Sequence, residues 1–308
     1  MLRCVLVPLD GSGFAESALP TAIAVANRVG GALHLVSVLD APATVLPAYA
    51  AEERQRTEAY LDSVVERVRS SWPGPVSASV REGWVVPELR AAAAEWPADL
   101  VVMSSHGRSG LSRVWMGSIA EQCLRAGFCP VLLVHPGEEH PAAPFALPSA
   151  CRVVLPLDGS QHAERALPYG VALARAFGAP LMLLRALDHP RGAELSLPEA
   201  IEVVYELREG DRAEAEEYLN GRVATLRKAG LHAYGKLVDE LGPAEAILAR
   251  EEGDWVVITT CGEGGFERTL FGSVADKVVR ASRHPLLVVP LGAEECEEEA
   301  PRARPTSP

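Results

Sequence analysis

Pro8-Leu9-Asp10-Gly11-Ser12 ends a short apolar run and recurs letter for letter as Pro156-Leu157-Asp158-Gly159-Ser160. A second motif repeats in the same order, since Gly107-x9-Gly117-Ser118 recurs as Gly262-x9-Gly272-Ser273. A period of about 150 residues is much longer than the roughly 20–50 residues of a solenoid repeat and matches the size of a whole domain. The sequence therefore predicts a tandem duplication of one domain.

The 308 residues divide into two domains, a linker and a tail. We expect the first domain over residues 1–137 and the second over residues 151–292, each long enough to bury its own core. Residues 138–150 are rich in Pro, Ala and Glu and lack periodicity, which predicts a linker. Residues 293–308 begin with a run of glutamates, which is typical of a disordered acidic tail.

Each half alternates short apolar runs with longer helical patterns. Strands are expected at Cys4–Leu9, Ala32–Leu39, Val76–Arg81, Leu100–Met103 and Val131–His135, and then at Val153–Leu157, Leu181–Leu187, Ala233–Val238, Trp255–Ile258 and Leu286–Val289. Helices are expected at Phe14–Val29, Glu52–Arg69, Pro87–Glu95, Gly117–Ala126 and Arg212–Lys228. This alternation predicts an α/β fold with two tandem doubly wound, Rossmann-like domains, each a five-stranded parallel sheet of order 3-2-1-4-5.

The composition argues against several classes of protein. A net charge of −12 is unlike that of nucleic-acid binders, which carry a basic surface. The six cysteines show no C-x2-C spacing for zinc and no disulfide framework, as expected of free thiols in a reducing cytosol. No apolar run approaches the ~20 residues of a membrane span, and the N-terminal apolar run is too short for a signal peptide. We therefore expect a cytoplasmic protein without nucleic-acid or membrane partners.

The two repeated motifs follow the first and fourth predicted strands of each half. These strands are neighbours in a sheet of this order, and ligands bind in the crevice at their carboxyl ends. The glycines of the loop let backbone N–H groups approach a phosphate, and Gly117-Ser118 opens a helix whose N–H groups face the same crevice. Asp10 would accept a hydrogen bond from a ribose hydroxyl or an adenine amine, and Arg108 and Arg113 would neutralise phosphate charge.

Some of these residues have a purely structural interpretation that does not involve a ligand. Ser118-Ile119-Ala120-Glu121 is a capping box and Ser273-Val274-Ala275-Asp276 is close to one, so each serine would simply cap its helix. Asp10 would likewise serve only as an N-cap or a turn residue, and Arg108 and Arg113 would be ordinary surface residues. These alternatives stay open at the level of the sequence.

The motifs together resemble the universal stress protein family. The first half carries the resemblance in Val7–Ser12, Met103–Gly107 with Gly117-Ser118, and Cys129–Val134. The second half carries it in Leu155–Ser160, Gly262-x9-Gly272-Ser273 and His284–Val289. The resemblance implies a five-stranded parallel α/β domain that in many members binds ATP or a related adenine nucleotide, here with Mg²⁺ as an optional partner ion.

Carried over residue by residue, the resemblance implies one nucleotide site in each half. In the first domain the site residues are Pro8, Asp10, Val38, Met103, Ser104, Gly107, Arg108, Gly110, Gly117 and Ser118. In the second domain they are Pro156, Asp158, Ala186, Ile258, Thr259, Gly262, Gly265, Gly272 and Ser273. No metal ligand from the protein is expected.

The two loops depart from the family and from each other. Ser104 and Thr259 stand where the family has its first loop glycine. Glu263 replaces Arg108 and Glu267 replaces Ser112, so a triphosphate in the second domain would face carboxylates. We therefore expect the first domain to be the better ATP site.

The leading function is a non-enzymatic adenine-nucleotide-binding protein with a regulatory role in stress responses. A slow ATP hydrolase is the first alternative, although the chain has no Walker lysine motif and only His106 as a loop imidazole. A scaffold with empty pockets is the second. The apolar edge strands Val131–Val134 and Leu286–Val289 are expected to pair within the chain, with homodimerisation as a further option, or else to be covered by the linker and tail.

Overall fold

The structure is a computed structural model that describes residues 2–40, 47–105, 117–135, 152–187, 198–239, 241–249, 254–260, 271–282 and 284–291. Residues 47–49 and 198–207 are described by their backbone alone. The predicted linker (138–150) and the predicted tail (293–308) lie outside the described residues, so both stay predictions.

Each half contains five strands that alternate with helices. The first half runs β1 (Cys4–Pro8), α1 (Gly13–Glu16), α2 (Leu19–Val29), β2 (Ala32–Leu39), α3 (Pro47–Ser71), β3 (Val76–Glu82), α4 (Val85–Glu95), β4 (Leu100–Ser104), α5 (Ser118–Ala126) and β5 (Val131–Val134). The second half runs β6 (Arg152–Pro156), α6 (Gln161–Glu164), α7 (Leu167–Phe177), β7 (Leu181–Ala186), α8 (Pro198–Lys228), β8 (Ala233–Val238), α9 (Pro243–Leu248), β9 (Asp254–Thr259), α10 (Ser273–Ala281) and β10 (Leu286–Val289).

The strands form one ten-stranded sheet in the order β3-β2-β1-β4-β5-β10-β9-β6-β7-β8. Within each half the strands are parallel, and the predicted order 3-2-1-4-5 is confirmed. At the centre β5 and β10 run antiparallel, with Leu132 opposite Leu287. β1 lies beside β4 and β6 lies beside β9, and both pairs are parallel. In each half the two repeated motifs therefore follow the carboxyl ends of neighbouring strands.

Helices cover both faces of the sheet. Leu19 of α2, Leu61 of α3 and Leu219 of α8 pack on one face, and Leu89 of α4 and Val278 of α10 pack on the other. The central strands are mostly apolar because parallel strands that are buried on both faces have no solvent-facing side, and their polar residues lie at the strand ends. β5 and β10 are fully buried, since each covers the edge of the other.

The first predicted helix, Phe14–Val29, is wrong as a single element. The structure breaks it into α1 and α2, and Pro20 lies in the first turn of α2. Proline lacks the N–H that a continuous helix would need there, and its ring clashes with the preceding turn. The predicted end at Val29 is confirmed, and Gly30 caps α2 in the left-handed conformation with φ 61°. The second half repeats the break between α6 and α7.

The longest helices, α3 and α8, begin earlier than the sequence pattern indicates. Each starts at a proline, Pro47 or Pro198, which suits the first turn of a helix because no N–H is needed there. Among the described helices, none combines the length and the apolar character that crossing a bilayer requires.

Candidate functional site

The repeated aspartate forms the same turn in both halves. Asp10 Oδ1 accepts hydrogen bonds from the backbone N–H of Ser12 at 2.9 Å and from its hydroxyl at 2.6 Å. Asp158 Oδ1 accepts the same pair from Ser160, at 3.0 and 2.6 Å. One carboxylate oxygen therefore orders the turn directly after β1 or β6.

The serine of this turn, and not the aspartate, caps the short helix that follows. Ser12 Oγ accepts from the N–H of Ala15, and Ser160 Oγ accepts from the N–H of Ala163. The N-cap interpretation of Asp10 is therefore wrong, and its interpretation as a turn residue is confirmed. The glycine between aspartate and serine has a positive φ, 81° at Gly11 and 89° at Gly159, a conformation that side chains rarely adopt.

In each half the start of the helix after the glycine loop is hydrogen-bonded to the residue that follows the fourth strand. Gly117 donates its N–H to the carbonyl of Ser105 at 2.6 Å, and Gly272 donates to Thr260 at 2.9 Å. These hydrogen bonds hold the N-terminus of α5 or α10 against the carboxyl end of β4 or β9. The free N–H groups and the positive end of each helix dipole therefore lie at the crevice.

The capping interpretation of Ser118 and Ser273 is wrong. Gly117 and Gly272 are the N-cap residues and have extended backbones, and no side chain caps either helix. Each serine is instead the first helical residue, and its side chain is exposed. The serine hydroxyls thus project from the first turn of their helices beside the crevice.

In the second half these parts enclose one cleft of about 790 Å³. Its lining includes every predicted site residue of that half that the structure describes: Pro156, Asp158, Ala186, Ile258, Thr259, Gly272 and Ser273. Gly262 and Gly265, the other two predicted residues, lie outside the described residues, as do Glu263 and Glu267. The volume falls within the range of roughly 300–1,000 Å³ that is usual for small-molecule sites.

The first half places its predicted residues at the corresponding positions. Pro8 ends β1, Asp10 forms the turn, Val38 lies near the end of β2, and Met103 and Ser104 end β4. Gly117 and Ser118 begin α5. Gly107, Arg108 and Gly110 lie outside the described residues, as do His106, Ser112 and Arg113.

Ser104 and Thr259, the two departures from the family pattern, are buried at the ends of their strands. Thr259 also lines the second cleft. The described residues contain no group of three or more His, Cys, Asp and Glu side chains that could hold a metal ion.

The sequence analysis missed two features of the second cleft. Arg185, at the end of β7, lies on its wall, and Asp211, Glu214, Ala215 and Tyr218 contribute one face of α8. Arg185 interrupts the otherwise apolar run of β7, and that interruption is the one signal by which the sequence marks it.

In each half a tyrosine on the long helix donates a hydrogen bond to the short helix that follows the aspartate turn. Tyr60 donates its hydroxyl to Glu16 Oε1 at 3.0 Å, and Tyr218 donates to Glu164 Oε1 at 2.8 Å. Burial, together with the neighbouring carboxylate, raises the pKa of both tyrosines. Both hydroxyls therefore stay protonated and keep donating at neutral pH.

Two buried cysteines of the first half, Cys123 and Cys129, are unreactive as nucleophiles near neutral pH. Burial raises the pKa of the Cys123 and Cys129 thiols to about 12, so neither forms a nucleophilic thiolate near neutral pH.

Comparisons with known proteins match both halves of the chain. The model of the universal stress protein family matches residues 1–135 and 151–290. A universal stress protein of Mycolicibacterium smegmatis is 27% identical over 297 residues, which cover 92% of this chain and 96% of that protein. One from Thermus aquaticus is 34% identical over 143 residues, 44% of this chain and 96% of that protein. The crystal structure of a universal stress protein from Archaeoglobus fulgidus superposes with a TM-score of 0.69 at 20% identity, over 95% of this chain and 100% of that one.

Proposed function

Because the chain belongs to the universal stress protein family, we propose that it is a cytoplasmic regulatory protein that binds an adenine nucleotide in the clefts of its two halves. The observation that carries the proposal is the convergence in the second half. Asp158, after β6, and Ser273, at the start of α10, are more than a hundred residues apart in sequence and line one cleft.

The chemistry of the cleft suits the parts of a nucleotide. Ala186 and Ile258 supply apolar surface for a base. Asp158 lies on the same wall and supplies a carboxylate, a good acceptor for sugar hydroxyls. Gly272 and Ser273 supply the helix N-terminus, where N–H groups and the dipole favour phosphate.

Substitution of each aspartate by asparagine tests the proposal in the full chain. Asn keeps the oxygen that accepts from Ser12 or Ser160, so the turn is expected to persist while the carboxylate charge is lost. We expect calorimetry with ATP to show about tenfold weaker binding at the altered half, since hydrogen bonds to charged groups contribute about 1.5–3 kcal/mol. Unchanged isotherms in both Asp10→Asn and Asp158→Asn would contradict the proposal.

The same two variants test which half binds more tightly. We propose that the first half does, because Arg108 stands where the second half has Glu263. The stronger of two ATP affinities should then weaken in Asp10→Asn and persist in Asp158→Asn. The reverse pattern would assign the tighter site to the second half.

We further propose that the protein retains ATP without turning it over. Purified wild-type protein incubated with ATP for hours should produce no more ADP than a buffer blank. Steady ADP production that disappears in the two aspartate variants would instead make the protein a slow hydrolase.

The β5–β10 contact leads us to propose that the two halves pair within one chain, so that neither apolar strand remains as an open edge. A paired chain should sediment as a 32.8 kDa monomer. A species of twice that mass would show homodimerisation, and the position of the engineered disulfide described next would then show whether the strands pair within or between chains. Leu132 and Leu287 are directly opposite, so a Leu132→Cys/Leu287→Cys variant should form a disulfide within one chain under oxidation.

A further inference from the structure

Arg185 lines the second cleft as a half-buried residue, and two nitrogens of its guanidinium are buried without a hydrogen-bonding partner. Its Nε and Nη1 atoms are inaccessible to solvent, and no described residue accepts from them. A buried donor without an acceptor costs free energy, and a charged one costs more. Such a group in the wall of a cleft is the arrangement that an anionic ligand would complete.

The backbone places this guanidinium beside the aspartate turn. Leu157 donates its N–H to the carbonyl of Leu184 at 2.8 Å, which sets the next residue of β7, Arg185, alongside Asp158 and Gly159. A Cβ atom built on Gly159 would lie 2.9 Å from Arg185 Nη1. The turn glycine therefore serves two purposes here, since it adopts φ 89° and leaves room for the guanidinium.

The first half has no such cation at the corresponding position. Leu9 donates to Val36 as Leu157 does to Leu184, so Ser37 occupies the position of Arg185. Ser37 is buried and uncharged. The two halves therefore share the aspartate turn and differ in charge at this position of the second strand.

The charges around the second cleft limit where an anion can bind. Asp211 and Glu214 of α8 also line it, but both side chains are exposed at the rim, where water screens them. Arg185 lies deeper, where electrostatic interactions are stronger. Asp158 also lines the cleft, so an anion is favoured next to Gly159 only where it meets the Arg185 guanidinium, and it is disfavoured at the rim under α8.

We propose that Arg185 binds a phosphate ester carried on the sugar of an adenine nucleotide, so that the second half prefers sugar-phosphorylated nucleotides to ADP and ATP. The inference rests on the proposed function, because Asp158 is taken to accept from one sugar hydroxyl. The neighbouring hydroxyl of the ribose then faces Arg185, and its phosphate would pair with the guanidinium in the bidentate manner typical of arginine. In dinucleotide-binding α/β folds a carboxylate binds the ribose 2′-hydroxyl, or a nearby arginine accommodates a phosphate at that position.

Titration of the full chain with matched ligands tests the proposal. ADP, adenosine 2′,5′-bisphosphate and adenosine 3′,5′-bisphosphate each carry two phosphates and differ in where the second one is attached. Calorimetry should show at least one bisphosphate binding about tenfold more tightly than ADP, and Arg185→Gln should remove this preference. The matched control Ser37→Ala should keep it, and Ser37→Arg should create a second site with the same preference.

Other outcomes of the titration overturn the proposal. Equal loss of ADP and bisphosphate affinity in Arg185→Gln would mean that the arginine contacts the polyphosphate chain. No preference in the wild type would mean that it contacts no sugar phosphate. If no nucleotide binds at all, the proposed function fails, and titration with inorganic phosphate then decides: binding that Arg185→Gln abolishes supports the anion site, and no binding overturns it.

Thermal melting without ligand separates a binding role from a structural one. A guanidinium without partners contributes little to the fold, so Arg185→Gln should melt at the wild-type temperature or above. A melting temperature several degrees lower would assign Arg185 to the stability of the fold and contradict the proposal.

Discussion

The two halves hold the same aspartate, at the start of the fourth strand, in different ways. In the first half Asp99 accepts from the backbone N–H groups of Arg3, at 2.8 Å, and Cys4, at 3.3 Å. In the second half Asp254 is fully buried and accepts from the guanidinium of Arg152, whose Nε and Nη2 both lie 2.9 Å from Oδ2. Cys4 stands where Arg152 does, so one carboxylate has kept its position while its partner changed.

The duplicated fold therefore keeps the position of a carboxylate, while the groups that bind this carboxylate differ between the halves. The same holds at the carboxyl ends of the strands, where both halves keep the aspartate turn, and the second half has Arg185 where the first has Ser37. Differences between the halves therefore concern partners of a shared carboxylate, and substitutions that remove one partner measure each difference directly.

The largest expected effect comes from Arg152→Met. The variant leaves the Asp254 carboxylate buried without its guanidinium, and removal of one partner of a buried ion pair typically costs about 3–5 kcal/mol. Urea unfolding followed by circular dichroism measures the loss.

Asp99→Asn is the matched control in the first half. It keeps an oxygen that accepts from the same backbone groups, so we expect a cost of about 1 kcal/mol. Equal costs for the two variants would erase the distinction between the halves. The double variant Arg152→Met/Asp254→Leu should recover much of the stability, because both charges are gone.

A buried histidine of the first half, His34, is expected to make the stability of the protein depend on pH. Burial lowers the pKa of His34 to about 4, and its ring nitrogens lie 2.9 and 2.8 Å from the hydroxyls of Ser77 and Ser79. Trp96 stacks on the ring at 4.1 Å. Arg81 and Glu95 are the charged groups nearby, and their effects on the pKa have opposite signs. The second half has Met182 at the corresponding position of its sheet.

The folded pKa of His34 lies below the unfolded value of about 6.5, so the unfolded chain binds more protons between the two. Above pH 6.5 the neutral ring of His34 makes its full contribution to the free energy of unfolding. This contribution is lost as the pH falls toward 4. The loss amounts to at most about 3–4 kcal/mol, at about 1.4 kcal/mol for each unit between the two pKa values.

Urea unfolding at pH 7 and pH 5 tests this in the wild type and in His34→Met, which carries the residue of the second half. The wild type should lose more stability between the two pH values than the variant does. Parallel losses would show that other groups account for the pH dependence.

The sequence predicted those features that depend on apolar pattern and on repetition. The bounds of β2, β8 and β10 are correct because Gly, Pro or Asp residues flank each segment, and the adjacency of β1 and β4 follows from the alternation of strands and helices. The break before α2 was missed although Pro20 marks it, because the apolar spacing continues across the break.

The details of the cleft depend on atoms that sequence spacing does not describe. Ser118 fits a capping box, yet Gly117 takes the cap position because its backbone is the extended one. Arg185 was missed because a charged residue in a strand can face solvent, a counterion or a cavity. Only the fold shows that its nitrogens are buried without an acceptor.

The smallest expected effect tests what the halves share. Tyr60→Phe and Tyr218→Phe each remove one hydroxyl that donates to a glutamate of the short helix, at 3.0 and 2.8 Å. Each glutamate keeps an arginine partner, Arg67 or Arg222, so neither carboxylate is left alone. We expect each variant to cost about 1 kcal/mol in urea unfolding, and the double variant to cost the sum, because the sites share no partner. If one variant loses more than twice as much free energy of unfolding as the other, the two tyrosine–glutamate hydrogen bonds do not stabilise their halves equally. The half with the larger loss would then be the one that depends more on this contact.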